Sequence, residues 1–176
     1  MPRPPYAGEA ELEALLSGPL AGFLRLNTFR MFAHAPEAGR AWLGVTHAFL
    51  NQLVLPAALR EIAILQVARE TDCLYMWAKH ARLARRAGVD DGLIAVIDRG
   101  GEIGARDASD EALVRRAARE AATAGRISAA TFDRVIARLG RRAAVELVMV
   151  VAHYLAGAVF LKTTEVEMEP VRPRAT

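Results

Sequence analysis

Residues 61–80, EIAILQVARETDCLYMWAKH, decide how this chain reads. The stretch holds the only cysteine, Cys73, with Glu61 twelve residues before it and His80 seven after it. At 3.6 residues per turn, Cys73, Met76, Trp77 and His80 fall at i, i+3, i+4 and i+7 and share one helix face. A thiol, an imidazole and a bulky aromatic ring are then presented to one volume. Thr71 or Asp72 is positioned as the N-cap and Gly88 as the residue past the helix end, which places Cys73 in the first turn. The positive end of the helix dipole there favours a thiolate. A competing reading of the same face is plain packing, because Cys, Met and Trp are common core residues and stripes at helical spacing usually face a core.

Working outward, the same period recurs along most of the chain. Helices are expected over Glu9–Leu16, Leu20–Ala33, Pro36 to about Leu53, 56–70, 72–87 and Asp90 or Asp91 to Asp98. Two more run from caps at Ser109 and Ser128 to Gly125 and Gly140, and a last core helix spans 141–161. Gly100, Gly101 and Gly104 read as a turn, without the strand that a phosphate-binding loop would follow. No segment alternates with period two, so the expected class is an all-α helical bundle. Composition agrees: hydrophobic residues make up 53% but aromatics only 6%, and the Ala/Leu-rich remainder favours helix over sheet.

The chain of 176 residues is long enough for one cored domain, expected over 9–169, between a Pro-rich flexible segment at 1–8 and a flexible tail at 170–176. One cysteine excludes an internal disulfide and any Cys-x-x-Cys site. It suits a reducing, cytoplasmic setting, as does the lack of an apolar leader core near Met1. The net charge of +3 raises nucleic acid as a partner. However, the arginines are interspersed with acids, as in 115–120, and the clusters Arg82, Arg85, Arg86 and Arg141, Arg142 carry no exposed aromatic partners, so nucleic-acid binding is not expected.

Residues 143–161 approach the length and apolarity of a membrane span. Glu146 and His153 interrupt them, which favours an interior bundle helix over a membrane helix. With no His pair at i, i+4, no metal site is expected. His34, His47 and His153 have no partner at a useful spacing, and His153 beside Tyr154 reads as packing.

The pattern Glu61…Cys73-x-Tyr75-x-Trp77-x-x-His80, followed by Ala84 and Gly88, resembles the carboxymuconolactone decarboxylase family, which includes the alkylhydroperoxidase D-like proteins. The similarity continues in Ala124–Ser128 with Thr131 and Phe132, in Leu139-Gly140, in Val145-Glu146-Leu147 and in His153-Tyr154, so that it covers roughly residues 30–165. In the peroxidase branch a distal Glu precedes Cys-x-x-Cys, and a His follows four residues after the second Cys. Glu61, Cys73 and His80 match; Met76 stands where the second, peroxide-attacking Cys would be.

The resemblance implies an alkylhydroperoxidase D-like bundle, a homo-oligomer (trimer or hexamer), and catalytic residues Glu61, Cys73 and His80. Tyr75, Met76 and Trp77 would line a small-molecule substrate; Tyr75 points off the Cys73 face, and its alternative place is against a neighbouring subunit. The implied reaction is a cofactor-free decarboxylation of a lactone or keto acid. His80 would move the proton, Glu61 would orient it, and Arg60, Arg69 or Arg82 would hold an anionic substrate. Two alternatives follow from the same residues: a peroxide or thiol-redox protein relying on Cys73 and an external thiol, and a non-catalytic ligand-binding or assembly protein.

Overall fold

A computed structural model describes residues 1–20, 25–102 and 109–170, with the side chain of residue 19 excepted. Among them every regular element is helical: α1 (Glu9–Leu15), a 3₁₀ turn (Gly18–Leu20), α2 (Asn27–Phe32), α3 (Pro36–Asn51), α4 (Ala57–Glu70), α5 (Leu74–Arg86), α6 (Asp91–Asp98), α7 (Asp110–Ala124) and α8 (Ala129–Thr163). The all-α expectation therefore holds. Gly104 and the tail beyond residue 170 lie outside the described residues.

The chain divides into two compact units, residues 1–48 with 160–176, and residues 49–159. The first is built on an apolar cluster of Leu12, Leu15, Leu16, Phe29, Phe32 and Leu43, with the Phe32 and Phe160 rings 4.7 Å apart. Residues 1–8 form no helix, as their prolines demand, but their backbone is tied down. Arg3 N–H donates to the Thr164 carbonyl, Ala7 N–H to Arg30, and the Tyr6 hydroxyl accepts from Glu167 N–H. Of the helix expected over 20–33, residues 21–24 lie outside the described residues, and α2 begins at Asn27, because Leu26 is extended (ψ 151°). Asn27 is instead anchored through its side chain to the Glu167 carbonyl.

The second unit is organised around α4, which packs on α5, α6 and α7. Every residue from Leu59 to Ala68 is buried. A helix hydrophobic on one stripe would leave its other side to water; α4 is enclosed all round, so its polar residues Arg60, Glu61 and Gln66 are internal and must find internal partners. Gln66 and Glu70 meet Arg115 and Arg119 of α7: Arg115 Nε donates to Gln66 Oε1 at 3.0 Å, and Arg119 Nε to Glu70 Oε1 at 2.8 Å.

Local signals set the ends of the neighbouring helices. Asp90 accepts from Leu93 N–H and caps α6, and Ser109 accepts from Ala112 N–H and caps α7. Gly88, at φ 87°, closes α5 in a Schellman arrangement: Gly88 N–H bonds to Arg85 and Val89 N–H to Ala84.

The two last helices expected from the sequence meet at Gly140, whose non-helical backbone (φ 83°, ψ 162°) kinks the segment numbered α8. Beyond that break Glu146 is buried, and its Oε2 accepts from Val54 N–H at 2.9 Å and Leu55 N–H at 2.8 Å. The loop after α3 is thereby held by a side chain 91 residues away, which explains why α3 stops at Asn51 and not near Leu53. By length and composition α8 is apolar enough to cross a membrane, and only 39% of its most apolar window is buried. The uncovered part includes Val145, Val148, Met149 and Val159, each between 37% and 67% exposed. Their spacing places them along one stripe.

Candidate functional site

The turn between α4 and α5 sets the geometry. Asp72 takes up a left-handed conformation (φ 49°), and the Thr71 hydroxyl turns back onto the Val67 carbonyl of α4 at 2.7 Å. Neither residue is then available to cap α5. Cys73 itself is the N-cap, without a side-chain cap bond, so its placement in the first helical turn is corrected by one position. The Cys73 thiol is only 2% exposed. Two helical turns, roughly 10 Å of rise, separate it from His80, while Met76 and Trp77 lie one turn below His80 on the same face.

This tight turn brings α5 back along α4 and sets His80 beside Glu61. His80 Nδ1 lies 2.8 Å from Glu61 Oε2. The other carboxylate oxygen, Oε1, accepts from Arg60 Nε at 3.0 Å and Nη2 at 2.9 Å. Arg60 Nη1 also donates to the Phe49 carbonyl at 3.2 Å. The Glu61 side chain is fully buried (0% exposed), whereas that of His80 keeps 11% of its surface.

Arg60 offsets the carboxylate charge, so the site needs no second cation. A carboxylate accepts only, and Nδ1 therefore carries the donated proton when the ring is neutral. That leaves Nε2 as the nitrogen able to take up or release a proton, with Glu61 fixing the ring's tautomer and orientation.

The other wall comes from α8. The Tyr154 ring meets the His80 ring edge to face (centroids 4.8 Å apart, planes at 86°). His153 sits between Phe49 (5.3 Å, 89°) and Tyr154 (5.4 Å, 80°). Burial raises the Tyr154 phenol well above its ordinary range, and the Glu61 charge raises it further against an opposing effect of Arg60, so the hydroxyl stays protonated. Burial pushes His153 down to about 4, which makes it a neutral ring at pH 7.

Of the residues singled out from sequence, Glu61 and His80 are in direct contact. Cys73 and Met76 are sealed at 2% and 3% exposure, and Trp77 is half-buried. Tyr75, placed by the resemblance in the site wall or else against a neighbouring subunit, is buried within this chain, with the Lys79 ammonium 5.0 Å from its ring centre. The reason is that α5 is covered on more than the His80 side.

Among the candidate anion holders, Arg60 is engaged with Glu61, Arg69 donates to Asp72 at 3.3 Å, and Arg82 is exposed. Sequence reasoning read His153 beside Tyr154 as packing, and the rings do pack, but it did not set Tyr154 against His80. The His153-Tyr154 pair carried part of the family resemblance, but nothing local shows that this distant apolar helix meets His80; the adjacency of Arg60 to Glu61 was a visible charge pair. A separate cavity of about 330 Å³, lined by Ala58, Ile62, Val89, Leu93, Ala112 and Arg115 among others, opens beside α6 and α7. Neither Glu61 nor His80 lines it. No group of three His, Cys, Asp or Glu side chains suited to a metal ion occurs among the described residues.

A search of curated proteins finds no match to the chain. Residues 36–113 match the model of the Carboxymuconolactone decarboxylase family. That span contains α4 and α5 whole, and with them Arg60, Glu61, Cys73 and His80, while Tyr154 and α8 lie beyond it. The similarity to this family thus covers less than half of the chain, and the Glu61–His80 pair lies inside the matched span.

Proposed function

We propose that the protein is a cofactor-independent decarboxylase of a small lactone or keto acid, with His80 transferring the proton and Glu61 orienting it. The observation that carries this reading is the sealed Glu61 carboxylate bonded to His80 Nδ1 at 2.8 Å. In such a reaction the bond to the carboxylate carbon breaks and carbon dioxide leaves. The electron pair stays on the adjacent carbon, delocalised onto a carbonyl oxygen as an enolate. The imidazolium Nε2–H then delivers its proton to that carbon and returns to the neutral ring. Arg60 pairs with Glu61 in its apolar setting, and Glu61 holds the ring by its Nδ1 so that Nε2 faces the substrate.

The single-thiol alternative is less well supported. A peroxide-reducing cysteine must meet its oxidant, and Cys73 is 2% exposed. The test is an NMR assay in heavy water with carboxymuconolactone and a panel of β-keto and lactone acids, run beside His80→Ala. Deuterium at the new C–H, lost in the variant, supports the reading. Turnover undiminished in His80→Ala removes it.

Assembly belongs to the same proposal: we infer a homo-oligomer that covers the apolar stripe of α8. Val145, Val148, Met149 and Val159 are too exposed for a chain that works alone in water. Light scattering on Met149→Lys should show a smaller species than the wild type; an unchanged mass would argue against this face as the contact.

A further inference from the structure

Tyr154 is a polar side chain packed against His80 that the acid–base scheme above leaves without a task. Its ring is 4.8 Å from the imidazole, and the residue is 8% exposed. Among the described residues its hydroxyl has no hydrogen-bond partner. The sealed side-chain atoms that lack a partner there are Thr28 Oγ1 and Arg69 Nε, so the phenol oxygen is not one of them and stays within reach of a ligand. A buried donor without an internal acceptor is costly unless something else accepts from it.

The position suits an oxyanion. His80 Nε2 must face the carbon that receives the proton, and the oxygen that carries the enolate charge lies two bonds from that carbon. A donor on the ring packed against His80 is set to address that oxygen. Arg60 cannot serve, because its guanidinium is directed at Glu61 and at the Phe49 carbonyl. With the residue only 8% exposed, few water molecules can compete for that hydrogen bond once a ligand is seated.

We propose that the Tyr154 hydroxyl binds the oxygen of the substrate on which charge develops, making it the oxyanion donor of this site for planar enolate-forming acids. The inference rests on the decarboxylase reading for the identity of the reaction, but its binding content can be tested apart from turnover.

The probe is oxalate, a planar dianion that mimics the enolate of a 2-keto acid. Its binding is measured by calorimetry at pH 7 to wild type, Tyr154→Phe and Tyr154→Leu, with thermal melting as the fold control. In parallel, tyrosine labelled at Cζ reports the Tyr154 resonance as oxalate is added to the wild type.

The expected result is a Tyr154 Cζ shift on binding, and an affinity lower by roughly tenfold or more in Tyr154→Phe, the loss associated with one hydrogen bond to a charged group. The ring and the fold should be retained in that variant. Equal affinity in wild type and Tyr154→Phe overturns the inference, and so does a wild type that fails to bind oxalate. Tyrosine-dependent binding with no decarboxylation of any acid leaves the inference standing and removes the decarboxylase reading alone. For an acid that is turned over, Tyr154→Phe should lower kcat by about 10²-fold or more with little change in KM.

Discussion

Replacing Glu61 by Gln keeps the shape of the side chain and removes its charge. In the wild type both carboxylate oxygens accept: Oε1 from two Arg60 nitrogens and Oε2 from His80 Nδ1. A carboxamide has one acceptor and one donor end. The oxygen will stay with the Arg60 guanidinium, since turning NH₂ toward it would oppose two donors. The NH₂ end then faces His80 Nδ1, which can accept only if its proton moves to Nε2. Two effects follow together.

The first effect concerns stability. Arg60 loses its counter-charge at a position that is 8% exposed. Removing one member of a buried ion pair costs about 3–5 kcal/mol. Arg60 retains the Phe49 carbonyl and gains an amide oxygen, so the expected loss is about 2–4 kcal/mol, at the lower side of that range. For a chain of this length that corresponds to roughly 5–15 °C in Tm. The second effect is a switch of the His80 tautomer from Nδ1–H to Nε2–H, which ¹⁵N NMR distinguishes directly.

Urea denaturation and calorimetry supply the stability change, and Arg60→Met with Glu61→Leu supplies the control. Replacing the whole pair by apolar groups of similar size should recover most of the loss. A Glu61→Gln protein that loses less than about 1 kcal/mol and keeps the Nδ1–H tautomer would refute the buried Arg60–Glu61–His80 relay.

Three further outcomes are expected. Gly140→Ala should destabilise by about 1–3 kcal/mol in urea titration, because φ 83° with ψ 162° belongs to a region open essentially only to glycine; no loss would mean that α8 straightens without cost. His153 titrates near 4 in the folded chain against 6.5 unfolded, so between those pH values the unfolded state binds more protons and stability falls as pH falls. His153→Phe should remove roughly 1–2 kcal/mol of that acid loss once the partial exposure of the ring is allowed for, seen as a shallower Tm-against-pH curve between pH 6.5 and 4. Finally, Cys73 should resist a thiol reagent in the native protein and react on unfolding, and Cys73→Ala should keep any decarboxylation; rapid native labelling would restore the thiol-redox alternative.

Legibility from sequence was uneven, for physical reasons. The ends of α5, α6 and α7 were readable because a cap or a left-handed glycine acts within four residues: Asp90, Ser109 and Gly88 do so here. The start of α5 was misplaced by one residue because Thr71 caps backwards onto α4, a choice that neighbouring sequence does not reveal. The end of α3 was misplaced for a different reason, since Glu146 captures the two N–H groups that follow it.

The residues of the site divide in the same way. By itself the sequence determined that this chain is helical, that Met76, Trp77 and His80 share a face, and that Glu61 belongs with His80 through a family resemblance. The first two conclusions rest on local conformational preference and on periodicity, which the order of residues carries; the third rests on the resemblance alone. Tertiary structure alone decided that α4 is enclosed on all sides, and this turns Arg60 and Glu61 from ordinary helix charges into an obligatory pair. It also decided that Cys73 is sealed and that Tyr154, from the far end of the chain, meets the imidazole. Burial and long-range contact are properties of the packed assembly of helices, and no local run of residues encodes which distant helix will cover it.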